Sequence, residues 1–174
     1  MKYIIIFIMS LSVIVAEGLT LKSSDIGGQL TKMQEFNSFG CNGQNISPKL
    51  SWSGVPKGTK SFAVTLYDPD APTGSGWWHW IVVNIPANVT VLPAGASGKA
   101  MPKGALEIVN DYGSAGFGGA CPPVGDKPHR YIFTVYALDV EKLDVKADTN
   151  DPVVGYYINA HTLAKASLIS YYSR

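Results

Sequence analysis

The sequence is short of charge. Lys and Arg number 14, Asp and Glu 13, together only 16% of 174 residues, and the formal net charge is +1. So even a balance leaves no electrostatic footprint for nucleic acid or for an anionic membrane surface. Histidine occurs three times and cysteine twice. No apolar stretch reaches the roughly 20 residues that a bilayer-spanning helix needs; the longest, Tyr3–Ala16, is shorter and is broken by Ser10 and Ser12. Signatures of familiar chemistry are missing as well. Ser114 sits in Gly113-Ser114-Ala115-Gly116 without the spacing of a G-x-S-x-G nucleophile elbow. There is no H-E-x-x-H zinc motif, and Gly116-Phe117-Gly118-Gly119 leads into neither a helix nor a Lys-Ser/Thr, so it is no P-loop. No internal repeat of propeller or solenoid length is present.

What is present begins with the N-terminus. Lys2, the apolar run Tyr3–Ala16 and the small-residue end at Val15-Ala16, followed by Glu17-Gly18, have the pattern of a secretory signal peptide cleaved after Ala16. The expected organisation is therefore a signal peptide over 1–16 and one domain over 17–174, long enough for its own core, in a periplasmic or secreted protein. An uncleaved anchor or a buried first strand is the alternative. Export would place Cys41 and Cys121 in an oxidising compartment, where a disulfide persists. Closing their separation of 80 residues (121 − 41) is worth about 4–5 kcal/mol in the chain-entropy model. Two separate thiols remain the other reading, because a bridge requires Cβ atoms close in space.

Glycine (18) and proline (11) are frequent, which implies many short elements joined by turns. Leu19–Lys22, Ser61–Tyr67, Trp80–Ile85, Ala105–Val109 and Arg130–Leu138 have the length and β-branched or aromatic content of strands. The unbroken apolar run at Trp80–Ile85 predicts a strand buried on both faces. Near the C-terminus, Ala160, Leu163, Ala164, Ser167, Leu168 and Tyr171 fall on one face of a 3.6-residue period, and Asp151-Pro152 reads as an N-cap followed by proline. This spacing predicts helix from about Pro152 to Tyr172 as structural cover, with His161 beside the stripe.

The chemistry-bearing residues are each ambiguous alone. Asp68-Pro69-Asp70-Ala71-Pro72 follows a strand, and its prolines present two carboxylates stiffly; a turn capped by Asx-type bonds is the bland reading. His79, in Trp77-Trp78-His79-Trp80, is either a packed imidazole or a donor facing an apolar-walled pocket. His129 and Tyr131 share one face of their strand, and Arg130 takes the other, where an ion pair is the default. The polar loop Phe39–Pro48 and the long Gly/Pro-rich loop Asp111–Arg130 have the character of shaped, functional loops. Two His and an Asp could bind metal, but no local spacing supports it.

Taken in order, DPDAP at 68–72, WWHWIVVNIP at 77–86, GGACPPVGDKPHRYIFTVYAL at 119–138 and CNGQNISPKLSW at 41–52 resemble the phosphatidylethanolamine-binding protein family. They are most similar to its bacterial, Raf-kinase-inhibitor-like branch, and span most of residues 20–174. The resemblance implies a mainly β fold, a sandwich of two antiparallel sheets with C-terminal α-helices. It also implies a small pocket for a phosphate-bearing anion or phospholipid headgroup, with no cofactor and no metal. Carried over by position, Asp68 and Asp70 are the acidic members, His79 and His129 the paired imidazoles, and Tyr131 lies beside them. Gly119, Ala120 and Cys121 would supply backbone N–H groups, with Pro122 and Pro123 stiffening that loop. The expected role of the carboxylates is to hold the imidazoles and raise their pKa, favouring imidazolium. Between Pro72 and His79 the chain is shorter than the eukaryotic branch, and Trp78 stands in the place of a further histidine, so a lipid preference does not carry over. A binding module is therefore expected rather than an enzyme. Regulation by protein contact, as of a kinase or protease, is the alternative, and weak phosphoester hydrolysis the third reading. A protein partner and a homodimer are left open.

Overall fold

The computed structural model describes residues 18–174; the expected signal peptide lies outside the described residues. Eight strands and one helix follow in the order β1 (Thr20–Lys22), β2 (Leu50–Ser53), β3 (Ser61–Asp68), β4 (Trp77–Pro86), β5 (Val91–Leu92), β6 (Leu106–Glu107), β7 (His129–Leu138), α1 (Asp151–Ala160) and β8 (Thr162–Tyr172). They form two antiparallel sheets, a small one ordered β1-β2-β5 and a large one ordered β6-β4-β3-β7-β8. Among the described residues no helix is long and apolar enough to cross a membrane.

Two apolar clusters explain the strand sequences. Between the sheets, Leu21, Leu50, Trp52 and Leu92 meet Phe62, Val64, Leu66, Trp80, Val82 and Phe133. On the outer face of the large sheet, Ala63, Ile81, Val83 and Leu138 pack beneath Val154 and Ile158 of α1. The central strands β3 and β4 are thus covered on both sides, which is why SFAVTLY and WIVVNI read as continuous apolar runs instead of alternating.

Two irregularities between β3 and β4 shape the sheet. Phe62 pairs Ile85 but Val64 pairs Val82, so β4 carries one extra residue there; Asn84, at φ 60°, absorbs it, and its Oδ1 accepts the Leu143 N–H at 2.8 Å. Leu66 pairs Trp80 while Tyr67 pairs Trp78, which leaves His79 as the extra residue of a second bulge. Bulges of this kind re-aim a side chain near the end of a strand.

The C-terminus departs from expectation. The helix stops at Ala160, and Thr162–Tyr172 is a strand paired with β7 over ten residue pairs, from His129↔Tyr172 to Leu138↔Thr162. Its N-cap is Asn150, whose side chain accepts the Val153 N–H, so Asp151 is the first helical residue rather than the cap. The physical reason for the misreading is that Ala164, Ala166, Ser167 and Ser170 carry little period information. A period of two fits as well: Ala166, Leu168 and Tyr172 pack on the core while Leu163, Ile169 and Tyr171 stay exposed. Ladder hydrogen bonds along a long, already formed β7 then outweigh helix propensity. Among the described residues there is a single helix instead of several, and it covers the sheet as expected.

Candidate functional site

The antiparallel order β4-β3-β7 places the end of β3 beside the starts of β4 and β7. Asp68 from β3, His79 from β4, and His129 and Tyr131 from β7 therefore converge from three separate strands at one end of the large sheet, and all four are buried. They line a cavity of about 350 Å³ together with Trp77, Tyr112, Cys121 and Arg174.

Asp68 organises this floor. Its Oδ1 accepts the Asp70 N–H at 2.8 Å, an Asx turn, and its Oδ2 accepts the His129 Nδ1–H at 2.8 Å. The bland and the functional readings of DPDAP thus hold for different oxygens of one carboxylate. Nε2 of His129 lies 3.5 Å from Asp126, so its ring sits between two acids. His79 is held differently. Its Nδ1 lies 2.9 Å from the Gly118 carbonyl and 3.1 Å from that of Gly119. Two carbonyls can only accept, so Nδ1 carries the proton and the neutral ring leaves a lone pair on Nε2. Burial pulls the His79 pKa down to about 4, against the raising effects of Gly118, Asp68 and Gly119. The expectation that the carboxylates would favour imidazolium at His79 is overturned: desolvation of a fully buried ring outweighs them. Tyr131 is 0% exposed and its hydroxyl has no hydrogen-bond partner. Burial, with Asp68 nearby, drives its pKa well above the usual tyrosine range, so it stays a neutral O–H.

Three predicted contributors are placed elsewhere. Asp70 does not line the cavity. It grips Arg130 on the outer face of β7, with Oδ1 2.7 Å from Nη2 and Oδ2 accepting both Nε–H (2.9 Å) and the backbone N–H (2.8 Å). This bidentate contact holds the Asp70 carboxyl down at about 2. Gly119 and Ala120 are not at the cavity surface either. The Gly119 N–H donates to Asn45 Oδ1 at 2.7 Å and the Ala120 N–H to the Gln34 carbonyl at 3.1 Å, so neither amide is free for an anion. Gly119 is there for close approach: a Cβ on it would fall 2.1 Å from the Gln34 carbonyl oxygen. Of the three predicted loop residues only Cys121 lines the cavity. It is joined to Cys41 by a disulfide with Cα atoms 5.9 Å apart. The bridge ties the 39–48 loop to the 111–130 loop across the buried segment Gln34–Phe36, where Phe36 N–H also donates to the Ala120 carbonyl at 3.0 Å.

Several lining residues were not anticipated. Tyr112 stacks on Phe36 at 4.0 Å, meets His79 edge-on at 5.5 Å, and donates its hydroxyl to the Gly119 carbonyl at 3.0 Å. Trp77 closes the same wall, 5.2 Å from Tyr112. Both fall inside stretches already singled out, the glycine-rich loop and the tryptophan cluster. Phe39, 66% exposed and at φ 54°, stands at the mouth. Arg174 donates from Nε to the Pro122 carbonyl (2.5 Å) and from Nη1 to the Gly40 carbonyl (2.7 Å), spanning the two loops that the disulfide joins. No sequence signal pointed to Arg174, because its place depends on β8 returning to the site. Among the described residues no group of three or more His, Cys, Asp or Glu is placed to hold a metal ion.

Known proteins resemble the chain in sequence and in fold. The family model described as phosphatidylethanolamine-binding protein matches residues 22–173. The chain is 59% identical over 149 residues to the UPF0098 protein YbcL of Escherichia coli K12, covering 84% of this chain and 81% of that protein. It is 53% identical over 157 residues to UPF0098 protein YbhB of the same organism, covering 88% and 99%. The crystal structure of E. coli YbcL, described as a new member of the mammalian PEBP family, superposes with a TM-score of 0.88 at 55% identity, covering 91% of this chain and 99% of that one. A phosphatidylethanolamine-binding protein homologue from Chlamydia trachomatis, CT736, matches with a TM-score of 0.74 at 33% identity, over 90% and 98%.

Proposed function

The chain belongs to the phosphatidylethanolamine-binding protein family, and from that premise we propose that it is an exported binding protein whose cavity takes a small phosphate-bearing anion or a phospholipid headgroup. The observation that carries the reading is the polar floor of an otherwise largely apolar cavity, where the Tyr131 hydroxyl has no protein partner and the His79 proton is committed at Nδ1, which leaves Nε2 as an acceptor. Buried polar groups left unpaired in a pocket are what a ligand with matching donors and acceptors satisfies. Export is supported by the apolar run at 3–16 and by the Cys41–Cys121 bridge.

Binding is proposed in preference to turnover. Of the lining residues, Thr73 and Cys121 carry an aliphatic hydroxyl or sulfur; Thr73 Oγ1 donates to the Gly76 carbonyl and Cys121 is in the disulfide. Neither is an activated nucleophile.

Because His79 is neutral above about pH 4, its Nε2 accepts a proton-bearing group of the ligand. A phosphate monoester offers P–OH below its second pKa of about 6. Calorimetry with ethyl phosphate and with phosphoethanolamine at pH 5.5 and 8 tests the reading, and ethyl phosphate, whose single P–OH is lost over this range, is expected to weaken as pH rises. Absence of binding by either probe at millimolar concentration at both pH values would overturn it. A second reading, regulation of a partner protein through the rim, is supported by the exposed ring of Phe39 at the mouth. A stoichiometric complex in pull-downs, unaffected by His79→Ala but lost on Phe39→Ser, would favour it.

A further inference from the structure

The cavity is polarised, and the source of its positive pole is Arg174. A guanidinium is a permanent cation with five N–H groups. In Arg174, the Nε–H and one Nη1–H bond the Pro122 and Gly40 carbonyls. The remaining donors have no protein partner, and among the described residues no carboxylate lies within 4.0 Å of the group. Arg130, by contrast, is neutralised by Asp70. Arg174 is therefore an uncompensated cation, oriented by two backbone carbonyls, in the wall of a cavity that also contains the proposed binding floor.

That floor offers the opposite chemistry. Asp68 is a carboxylate, and His79 has its only ring proton committed to Gly118 and Gly119. The Tyr112 hydroxyl, too, is spent on the Gly119 carbonyl. At Asp68 and His79 the floor accepts hydrogen bonds, beside the neutral O–H of Tyr131, and the rim donates charge-assisted ones. A bare oxyanion pushed to the floor would meet the Asp68 charge and the His79 lone pair with the neutral Tyr131 O–H as donor; held at the rim, it would meet charge-assisted N–H groups. We infer that Arg174 receives the anionic end of the ligand, and that the floor at Asp68 and His79 receives a donor carried by the same molecule. This rests on the proposed function and deepens it: the ligand class is an oxyanion with an attached hydrogen-bond donor. A protonated phosphate monoester and a phosphoethanolamine headgroup share that chemistry.

Calorimetry at pH 7.5 with phosphoethanolamine and ethyl phosphate, which lacks the ammonium, separates the two poles. Wild-type protein is expected to bind phosphoethanolamine about tenfold more tightly than ethyl phosphate, the order of a charge-assisted hydrogen bond. Arg174→Gln keeps two N–H donors for the loop carbonyls but removes the charge, and should weaken both ligands about tenfold or more. Arg174→Lys keeps the charge and should stay within about threefold of wild type. Thermal melts and a thiol count accompany each variant, since Arg174 also clasps two loops. Native-like Arg174→Gln that binds both ligands as wild type does overturns the inference and leaves the proposed function standing. Equal loss in Gln and Lys variants, tracking their melting temperatures, also overturns it, because Arg174 would then be only a clasp. Equal affinity of wild type for the two ligands removes the donor pole. If wild type binds neither ligand, the proposed function fails first, and the inference with it.

Discussion

Tyr131→Phe is expected to make the protein more stable and a poorer binder. Tyr131, the third residue of β7, lies at the cavity floor, is 0% exposed, and has a hydroxyl with no hydrogen-bond partner. Asp68 and the Cys121 backbone are near enough to influence its titration, yet neither makes a bond of normal geometry to it. Burying a polar group without a partner costs about 1–3 kcal/mol, and replacing it by a group of the same shape recovers that cost. The ring itself stays in the core with Phe133 and Trp80, so no cavity opens. Unfolding free energy should rise by about 1–2 kcal/mol, or by about 2–8 °C in melting temperature for a domain of this size. Urea denaturation should show a higher midpoint at unchanged m-value. Phosphate affinity should fall about two- to tenfold, the worth of one neutral hydrogen bond. A Phe variant less stable than wild type by 1 kcal/mol or more would mean that the hydroxyl is satisfied in the native state, and the argument from an unpaired floor would fail.

Replacing both cysteines by serine should cost up to about 4–5 kcal/mol, from a loop of 80 residues, measured by urea unfolding under non-reducing conditions; a loss under 1 kcal/mol would show that the Gln34–Phe36 contacts alone hold the two loops. Gly119→Ala should be severely destabilised, because its Cβ would fall 2.1 Å from the Gln34 carbonyl oxygen and 2.7 Å from the Phe36 nitrogen; a melting temperature within a few degrees of wild type would refute the close packing. Stability should also drift with pH through Asp151, whose carboxyl is pushed up to about 7 by burial and by its bond with Asp111. A folded pKa above the unfolded 3.8 means that the folded state holds the extra proton. That contribution is complete below about pH 4 and is lost as pH rises through about 7. His79 runs the other way: its folded pKa of about 4 lies below 6.5, so its contribution is lost as pH falls from 6.5 through 4. Between pH 7 and 8.5 the Asp151 slope outweighs the fading, opposite contribution of His79, and Asp151→Asn should remove the fall in stability with pH in chemical denaturation; an unchanged slope would remove Asp151 as its source.

Much of the fold was legible because burial writes itself into strand composition. SFAVTLY, WIVVNI and RYIFTVYAL are strands between two covering layers, and each was recognisable from length and β-branched content alone. So were the edge strands β1 and β6, inside Leu19–Lys22 and Ala105–Val109. Other elements were not: β2 and β5 are four and two residues long and carry too few side chains to show a period. The segment 162–172 has a composition that serves helix and strand equally, and its partner β7 settled the matter.

The sequence by itself determined which residue types could meet: two acids, two imidazoles and a tyrosine at strand ends, with a stiff glycine-rich loop between them. Their alternation along β7 already separated His129 and Tyr131 from Arg130. What each polar atom faces was decided only by the tertiary structure. Asp70 went to Arg130, the Gly119 and Ala120 amides went to Asn45 and Gln34, and Arg174 came to the cavity from the far end of the chain. The reason is physical. Side-chain period specifies a face, and a face needs only local sequence. Hydrogen-bond partners and desolvation depend on neighbours from distant segments, and for His79 it is that distant burial, not the adjacent residues, that decides its charge.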